Sequence, residues 1–373
     1  MKKKERKILY LLTVAVLLLG LSISMVLSGE HTVKSEYYEA QVQATQQMER
    51  CMQAVREYKQ ELGIPMSEED IHRTGLIGQS YTEITTTLGA LEAKRTTAWP
   101  DMAALCVRLL HEAGVRAGDT VGAGFSGSFP GMNLAMITAC ESMGVTLKCI
   151  PSVGASTYGA NDPELTFPEM MCLLEQDGWI KTERAVATMG GGDDVGREMP
   201  GETVAAIQSR LQEFGVSIVK LPEFSDNLSW REEYYGPIDC FVAVGGNVTS
   251  LGRTEDSVSL GQGVLKADRT MRLAEGSGLV QRYCAAGIPV INLLNIKFLA
   301  AEYGLPYDPV EWPEIGRSAV YSVRTYPKLW IVFGGACVCG MLLACYWTRG
   351  GKTFGARGEN SDERRKAENL GDR

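Results

Sequence analysis

Residues 119–150 read DTVGAGFSGSFPGMNLAMITACESMGVTLKCI, and this stretch decides the fold. An apolar strand pattern over 119–125 is followed by a turn rich in glycine and serine and by a helix pattern over 131–143. A second strand pattern then occupies 145–150. Short apolar strands that alternate with helices are typical of a parallel sheet covered on both faces.

The same alternation continues over most of the chain. Helix patterns occupy 98–113, 163–178, 201–214, 271–286 and 295–303, and strand patterns occupy 184–189, 216–221, 239–244 and 288–293. We therefore predict an α/β domain over 98–315, with a doubly wound, mainly parallel, Rossmann-like sheet. Residues 30–97 are interpreted as a helical stalk or flank, with one helix over 36–61 and another starting at Ser67.

The segments that leave the predicted strands differ from those that enter them. The entering turns are short, whereas four leaving loops are long, glycine-rich and polar: Phe125–Gly131, Pro151–Asp162, Gly190–Arg197 and Gly245–Gly252. The leaving loops of parallel strands meet at the carboxyl edge of the sheet, where such folds bind ligands. This edge is the predicted functional site.

Ten residues of these loops are candidate ligand contacts: Ser126, Gly127, Ser128, Ser152, Ser156, Asn161, Asp193, Asp194, Arg197 and Asn247. The turn at 126–128 resembles an anion cradle at a helix start, or is simply a tight turn that needs glycine. Asp193 and Asp194 suit a divalent cation or hydrogen-bond donors, and Asp193 alternatively caps a turn. Arg197 pairs either with a carboxylate ligand or with its own loop aspartates. The asparagines suit an amide or sugar, or only satisfy loop backbone groups.

The sequence disfavours two kinds of site. Its three histidines, His31, His72 and His111, all precede Ser126, so the usual Ser, Asp, His order of a hydrolase triad is impossible after the G-x-S-x-S turn. A variant that uses serine and lysine stays open. A zinc site at Asp193 and Asp194 is disfavoured because no histidine is near them in sequence.

Two uncharged apolar runs, 8–27 and 329–347, are each long enough to cross about 30 Å of hydrocarbon. Five basic residues in the segment 1–7 predict a cytoplasmic amino terminus. Residues 30–328 would then be extracytoplasmic, and the charged tail 348–373 would be a disordered cytoplasmic end. A cleavable signal remains an alternative for the first run.

The segment between the spans is acidic. Residues 30–328 contain 25 Lys and Arg against 39 Asp and Glu, which gives a net charge of −14. A field of this sign does not attract nucleic acid, so we expect no nucleic-acid partner. An anionic ligand would have to be held by local positive groups.

Several segments together resemble one family. They are GAGFSGSFPGMNLAMITACESMGV, IPSVGASTYGANDPELTFPEM, MGGGDDVGREMPGE, VGGNVTSLG and GIPVINLLNI with the later AEYGLPYDP. They look like the poly-gamma-glutamate system protein family, a bacterial membrane protein associated with poly-γ-glutamate synthesis and export. The resemblance covers most of 98–315 and both apolar runs, and it implies a pathway but no catalytic residues.

The resemblance implies an accessory membrane component of this pathway, with poly-γ-glutamate synthase or export subunits as partners. The four convergent loops lead us to expect that it binds an anionic glutamyl carboxylate or polymer end. Two alternatives remain at this stage. One is a γ-glutamyl hydrolase or transferase that uses Ser126 or the Asp193 and Asp194 pair as reacting groups. The other is a scaffold that holds membrane subunits through the spans and the 36–61 helix.

Overall fold

The computed structural model describes residues 3–182 and 185–350. The helices are α1 Lys3–Ser28, α2 Tyr38–Glu61, α3 Leu91–Thr97, α4 Asp101–Glu112, α5 Pro130–Met143, α6 Phe167–Gln176, α7 Gly201–Glu213, α8 Phe224–Tyr235, α9 Val248–Leu251, α10 Leu279–Ala286, α11 Ile296–Glu302 and α12 Lys328–Gly350. The strands are β1 His31–Lys34, β2 Thr85–Thr87, β3 Thr120–Phe125, β4 Thr146–Pro151, β5 Ala155–Ser156, β6 Val186–Thr188, β7 Ser217–Val219, β8 Cys240–Val244, β9 Gly263–Leu265, β10 Val290–Leu293 and β11 Ser322–Thr325.

The chain divides into two compact units. The terminal unit combines Met1–Val33 with Val323–Arg373, and the central unit is Lys34–Ser322. The predicted tail lies outside the described residues from position 351 onward, and the predicted strand over 184–189 begins on a residue that is also outside them.

Two apolar helices dominate the terminal unit. Mean hydropathy reaches 2.4 within Glu5–Ser28 and 2.0 within Lys328–Thr348, so both helices are long and apolar enough to cross a membrane. They contain the predicted runs 8–27 and 329–347. The Ser22 hydroxyl of α1 donates a hydrogen bond to the Trp330 carbonyl of α12.

The central sheet has the strand order β4-β3-β8-β10-β9. Its first four strands are parallel, and β9 runs antiparallel to β10. A separate parallel pair, β6 and β7, lies beyond β4, where Thr188 bridges Ser152 in parallel. These strands confirm the α/β class and the presence of parallel sheet segments.

Helices pack against both faces of this sheet because side chains alternate along each strand. Val121 and Ala123 of β3 belong to a core that includes buried residues of α2, α4 and α5. Phe241 and Ala243 of β8 belong to a second core with α8 and α10. On that second face, the Tyr235 hydroxyl donates a hydrogen bond of 2.9 Å to the Ala123 carbonyl.

Helix α2 is part of the central unit. Its residues Met48, Cys51 and Val55 are fully buried in the core that also contains α4 and α5. The segment 30–97, which we predicted to be a stalk or flank, therefore contributes a core helix. The helix itself agrees with the predicted span 36–61 to within two residues.

The helix predicted to start at Ser67 is wrong, because this segment forms turns. The Asp70 carboxylate accepts hydrogen bonds from the backbone N–H groups of Thr74 and Gly75, at 2.9 and 2.8 Å. Gly75 has a φ of 80°, which ends any helical path there. Asp70, an acidic residue of the kind that favours the first turn of a helix, thus stabilises a turn instead.

The helix predicted over 271–286 begins only at Leu279. Gly276 and Gly278 lie directly before it, and the Gly278 N–H donates to the Gln281 side chain at 2.9 Å, which satisfies the first turn. Helix α8 and the antiparallel strand β9 were missed by the sequence patterns, as were α3, β2 and β5.

Helices α3 and α5 approach each other closely at Gly131, and this approach predicts an effect on stability. A Cβ added at Gly131, at the start of α5, would lie 2.6 Å from the Thr97 carbonyl carbon and 2.8 Å from the Ala98 nitrogen. We expect Gly131→Ala to lower the free energy of unfolding by about 1–3 kcal/mol. Gly201→Ala is the control, since its Cβ meets nothing within 4 Å. Equal denaturant midpoints for the two variants would contradict the expectation.

Candidate functional site

A cavity of about 340 Å³ lies at the carboxyl edge of the parallel strands. Residues from all four predicted loops line it: Ser128, Ser152, Gly190–Asp194, and Gly246 with Asn247. The structure therefore brings the four loops together at one place. Their role in ligand binding stays a prediction.

A larger depression of about 920 Å³ lies at the opposite edge of the sheet, near the start of β4. It also borders Thr182 and Ala185, between which two residues lie outside the described part of the chain. We place the candidate site in the smaller cavity because the polar leaving loops meet there.

The loops after β3 and β4 are held together by backbone contacts. The Gly127 N–H donates to the Ser152 hydroxyl at 3.3 Å, and the Gly127 carbonyl accepts from the Ala160 N–H at 2.9 Å. A Cβ on Gly127 would lie 2.9 Å from the carbonyl oxygens of both Val153 and Gly154. Only glycine permits this approach, so residue 127 acts through its backbone.

The two serines beside Gly127 have different surroundings. The Ser126 hydroxyl accepts the Ser128 N–H at 3.2 Å, and the Ser126 carbonyl accepts the Asn133 side-chain amide at 2.9 Å. Ser126 thus stabilises the turn and does not line the cavity. The Ser128 hydroxyl accepts the Ser156 N–H at 2.9 Å, and Ser128 forms part of the cavity wall.

Asp194 is the centre of a partly buried polar network. Its carboxylate accepts hydrogen bonds from Arg231 at 2.6 Å, Thr188 at 2.8 Å and Asn227 at 3.1 Å. Burial by itself lowers the pKa of Arg231, but the Asp194 charge raises it above its usual value. The Arg231 side chain is only 4% exposed, so this ion pair fixes the loop after β6 on α8.

Asp193 holds two arginines near the cavity. Its carboxylate contacts Arg197 Nε at 2.7 Å and Arg253 Nη2 at 2.8 Å. The guanidinium of Arg253 also lies over the Phe224 ring, 4.7 Å from its centroid. A guanidinium has five N–H donors, and the recorded Asp193 bond of Arg253 uses one. Arg253 lines the cavity and is 46% exposed, so it can bind a further carboxylate.

This arrangement does not suit the divalent cation considered at Asp193 and Asp194. Three arginines already neutralise the two carboxylates. Across residues 3–182 and 185–350, no group of three or more His, Cys, Asp or Glu residues is placed to hold a metal ion. The two aspartates instead orient guanidinium groups.

Asn161 and Asn247 stabilise loop structure. Asn161 is fully buried, and its side chain bonds both backbone groups of Gln79, at 2.8 and 2.9 Å. Asn247 lines the cavity, but its side-chain oxygen accepts the Ser250 N–H at 2.8 Å and caps α9.

Five of the ten predicted residues do not line the cavity: Ser126, Gly127, Ser156, Asn161 and Arg197.

The sequence patterns did not point to Arg253 and Glu198, which line the cavity, or to Lys94. Arg253 directly follows the last predicted loop, and Glu198 directly follows the third, so slightly wider loop limits would have included them. Lys94 lies in a segment to which no element was assigned. Nothing in its neighbourhood in the sequence marked it as a buried lysine.

Lys94 lies behind the Ser128 part of the wall. It is 2% exposed, and its ammonium donates a hydrogen bond to the Ser128 carbonyl oxygen. Its Nζ is 3.5 Å from the centroid of the Phe129 ring. Burial lowers the pKa of Lys94 to about 7, because the charged form loses its hydration.

The partly buried Asp194 network gives a stability prediction. Arg231→Met would leave the Asp194 carboxylate without its guanidinium, and we expect a loss of about 3–5 kcal/mol in the free energy of unfolding. Arg317→Met is the matched control, because Arg317 and Glu314 form an exposed pair that contributes about 0–1 kcal/mol. Denaturant unfolding would measure both. A loss for Arg231→Met no greater than the control would show that the pair does not hold the loop.

Comparison with protein-family models finds no match for this chain, and comparisons with curated proteins and with solved structures find none either. The functional assignment must therefore rest on the geometry of the cavity and on the sequence motifs around it.

Proposed function

We propose that this protein is an accessory membrane component of bacterial poly-γ-glutamate production, and that its central unit binds a γ-glutamyl carboxylate or polymer end. One observation carries the proposal: the four leaving loops surround a cavity whose wall includes the partly exposed guanidinium of Arg253. The pathway comes from the family resemblance of the loop motifs.

The cavity wall matches the chemistry of a γ-linked glutamyl unit, which carries an α-carboxylate and an amide. Arg253 is a bidentate partner for the carboxylate. The hydroxyls of Ser128, Ser152 and Thr87, which line the same wall, can bond the amide. The volume of about 340 Å³ lies in the range of small-molecule sites.

The net charge of the segment 30–328 makes a local positive group necessary. Its overall field, at a net charge of −14, opposes an anionic polymer, so affinity must come from short-range contacts. The Asp193 pairs are partly exposed and are worth about 0–1 kcal/mol each. A ligand carboxylate can therefore share Arg253 at little cost to stability.

We also propose that the central unit has a doubly wound, Rossmann-like topology. Support comes from the helices on both sheet faces and from β3, which has β4 on one side and β8 on the other. The strand order therefore reverses between β3 and β8. Ligands of open α/β sheets bind at such a reversal, and Ser128 and Gly246 follow these two strands.

The proposed membrane arrangement has two spans, two cytoplasmic termini and an extracytoplasmic segment 30–328. The basic segment 1–7 and the apolar helices α1 and α12 support it. Synthase or export subunits would be partners within the same membrane.

Binding should depend on Arg253. Short γ-linked glutamate oligomers, titrated calorimetrically into the full chain in detergent micelles, should bind about 10–100-fold more weakly to Arg253→Ala, because a charge-assisted pair is lost. Arg317→Ala removes an exposed arginine from an ion pair with Glu314 and should bind like the unsubstituted protein. Equal affinity of the two variants, or no binding by the unsubstituted protein, would refute the proposal.

The orientation is tested by labelling intact cells with a membrane-impermeant maleimide. Glu275→Cys places a thiol at an exposed position of the central unit and should be labelled. Lys7→Cys, at the start of α1, should be labelled only after the cells are permeabilised. Labelling of Lys7→Cys alone in intact cells would reverse the proposed orientation.

A further inference from the structure

Lys94 and Lys59 are the two buried lysines among the described residues, and only Lys59 has carboxylates, those of Asp162 and Asp70, whose charges favour its ammonium form. Buried Arg231 has the Asp194 carboxylate, whereas no described carboxylate lies within ion-pair distance of Lys94. Its contacts are one carbonyl oxygen, that of Ser128, and the face of the Phe129 ring. A buried ammonium without a counter-ion favours the neutral amine, which is a base.

The Ser128 hydroxyl lies next to this amine. Its oxygen accepts the Ser156 N–H, but its own proton has no recorded acceptor among the described residues. Because the Lys94 ammonium bonds the carbonyl of the same residue, covalent geometry keeps Nζ within roughly 6–7 Å of the Ser128 Oγ. Side-chain rotation can close that gap, and catalytic hydrogen bonds are often long before a substrate binds.

A second hydroxyl lies in the same buried space. Ser156 is 3% exposed, and its side-chain oxygen has no hydrogen-bond partner. A Cβ placed on Gly89 would lie 2.6 Å from this oxygen and 3.1 Å from Lys94 Cε. The Ser156 and Lys94 side chains therefore both lie next to Gly89. An unpartnered buried hydroxyl is unfavourable, and this one belongs to the residue whose N–H bonds the Ser128 hydroxyl.

We propose that Ser128 and Lys94 form a nucleophile and base pair that cleaves the γ-amide bond of a glutamyl ligand bound in the cavity. This inference takes its substrate class from the proposed function. It adds an activity to the cavity proposed as a binding site, and it assigns the nucleophile to Ser128, where the sequence had suggested Ser126.

The chemical step balances without a metal or redox partner. Ser128 Oγ attacks the γ-carbonyl carbon while its proton moves to the neutral Lys94 Nζ. The carbon–nitrogen bond then breaks, Lys94 gives that proton to the leaving nitrogen, and an ester remains on Ser128. Water attacks the ester with Lys94 again accepting a proton, which returns to Ser128 Oγ as the carboxylic acid leaves.

The charged groups around Lys94 do not prevent it from acting as the base. On α3 its neighbours are Glu92 and Arg95, and Arg95 pairs with Asp308 at 2.7 Å and with Glu69 at 3.5 Å. Helix α3 packs against α11, whose charged residues are Lys297 and Glu302, and against α5, whose one charged residue, Glu141, lies at the opposite edge of the sheet. The charged residues around the cavity are Asp193, Asp194, Glu198 and Arg253. Burial is the single cause of the lowered Lys94 pKa, so none of these charges sets it.

The test uses the full chain in detergent micelles with two probes, γ-glutamyl-p-nitroanilide and short γ-linked glutamate oligomers. We expect p-nitroaniline release that rises as pH increases through about 7, because the neutral Lys94 amine is the reacting form. Acid quenching during turnover should trap a glutamyl mass on the peptide that contains Ser128. This adduct does not depend on any variant being able to fold.

Two substitutions with matched controls assign the roles. Ser128→Ala should lower release by about 10³-fold or more, and Lys94→Met by about 10²–10⁴-fold. Ser142→Ala removes a serine at the far end of α5, near the opposite edge of the sheet, and Lys59→Met removes another buried lysine, so both should keep the unsubstituted rate. If Lys94 had only a structural role, Lys94→Met would leave the pH dependence of p-nitroaniline release unchanged.

The outcomes separate this inference from the proposed function. Oligomer binding by calorimetry, without release or a Ser128 adduct, overturns the nucleophile and base pair and leaves the binding proposal standing. Absence of binding, release and adduct overturns both. Release that persists in Ser128→Ala, or an adduct on another residue, assigns the chemistry elsewhere and refutes the pair.

Discussion

The candidate site depends on one steric constraint, the close backbone approach of the loops after β3 and β4. Gly127 lies against the carbonyls of the second loop, and a Cβ on Gly159 would lie 2.9 Å from the Gly127 oxygen and from Ser128 Cα. Neither position tolerates a side chain. Because both loops are then fixed, Ser128 and Ser152 are held on one wall, and Ser156 can donate its N–H to Ser128.

Charge pairing fixes the other half of the cavity. Asp194 anchors the loop after β6 to α8 through Arg231, and Asp193 draws Arg253 from the segment after α9 to the same place. The buried pair gives rigidity, since breaking it would leave a charge without a partner. The more exposed pair of Asp193 and Arg253 leaves a guanidinium that can change its position. The two adjacent aspartates thus have different tasks, which their different exposure explains.

The sequence predicted the strands β3, β4, β8 and β10 well, because each is a short apolar run between turn residues. It also predicted that the leaving loops meet, since that follows from parallel strands alone. It could not predict which loop side chains face the cavity. Asn161 and Asp194 look like ligand contacts in sequence, yet each is used by distant backbone or side-chain groups of Gln79 and Arg231. Arg231 and Lys94 could not be found from patterns, because their burial depends on helices packed from elsewhere in the chain.

Unfavourable backbone conformations and buried polar groups without partners cluster at the carboxyl edge of the sheet, around the cavity. Of the described residues other than glycine that have positive φ, three lie in the loops around the cavity: Tyr158, Asp193 and Asp194. Each such conformation costs about 1–3 kcal/mol and persists only where the surroundings enforce it. Lys94 without a counter-ion and Ser156 without a hydrogen bond add two further unfavourable groups at the same place. An apolar residue at position 94 would fill the space without the desolvation cost, so stability alone does not account for a lysine there. Unfavourable groups that cluster beside a polar cavity are expected where a site is kept for chemistry.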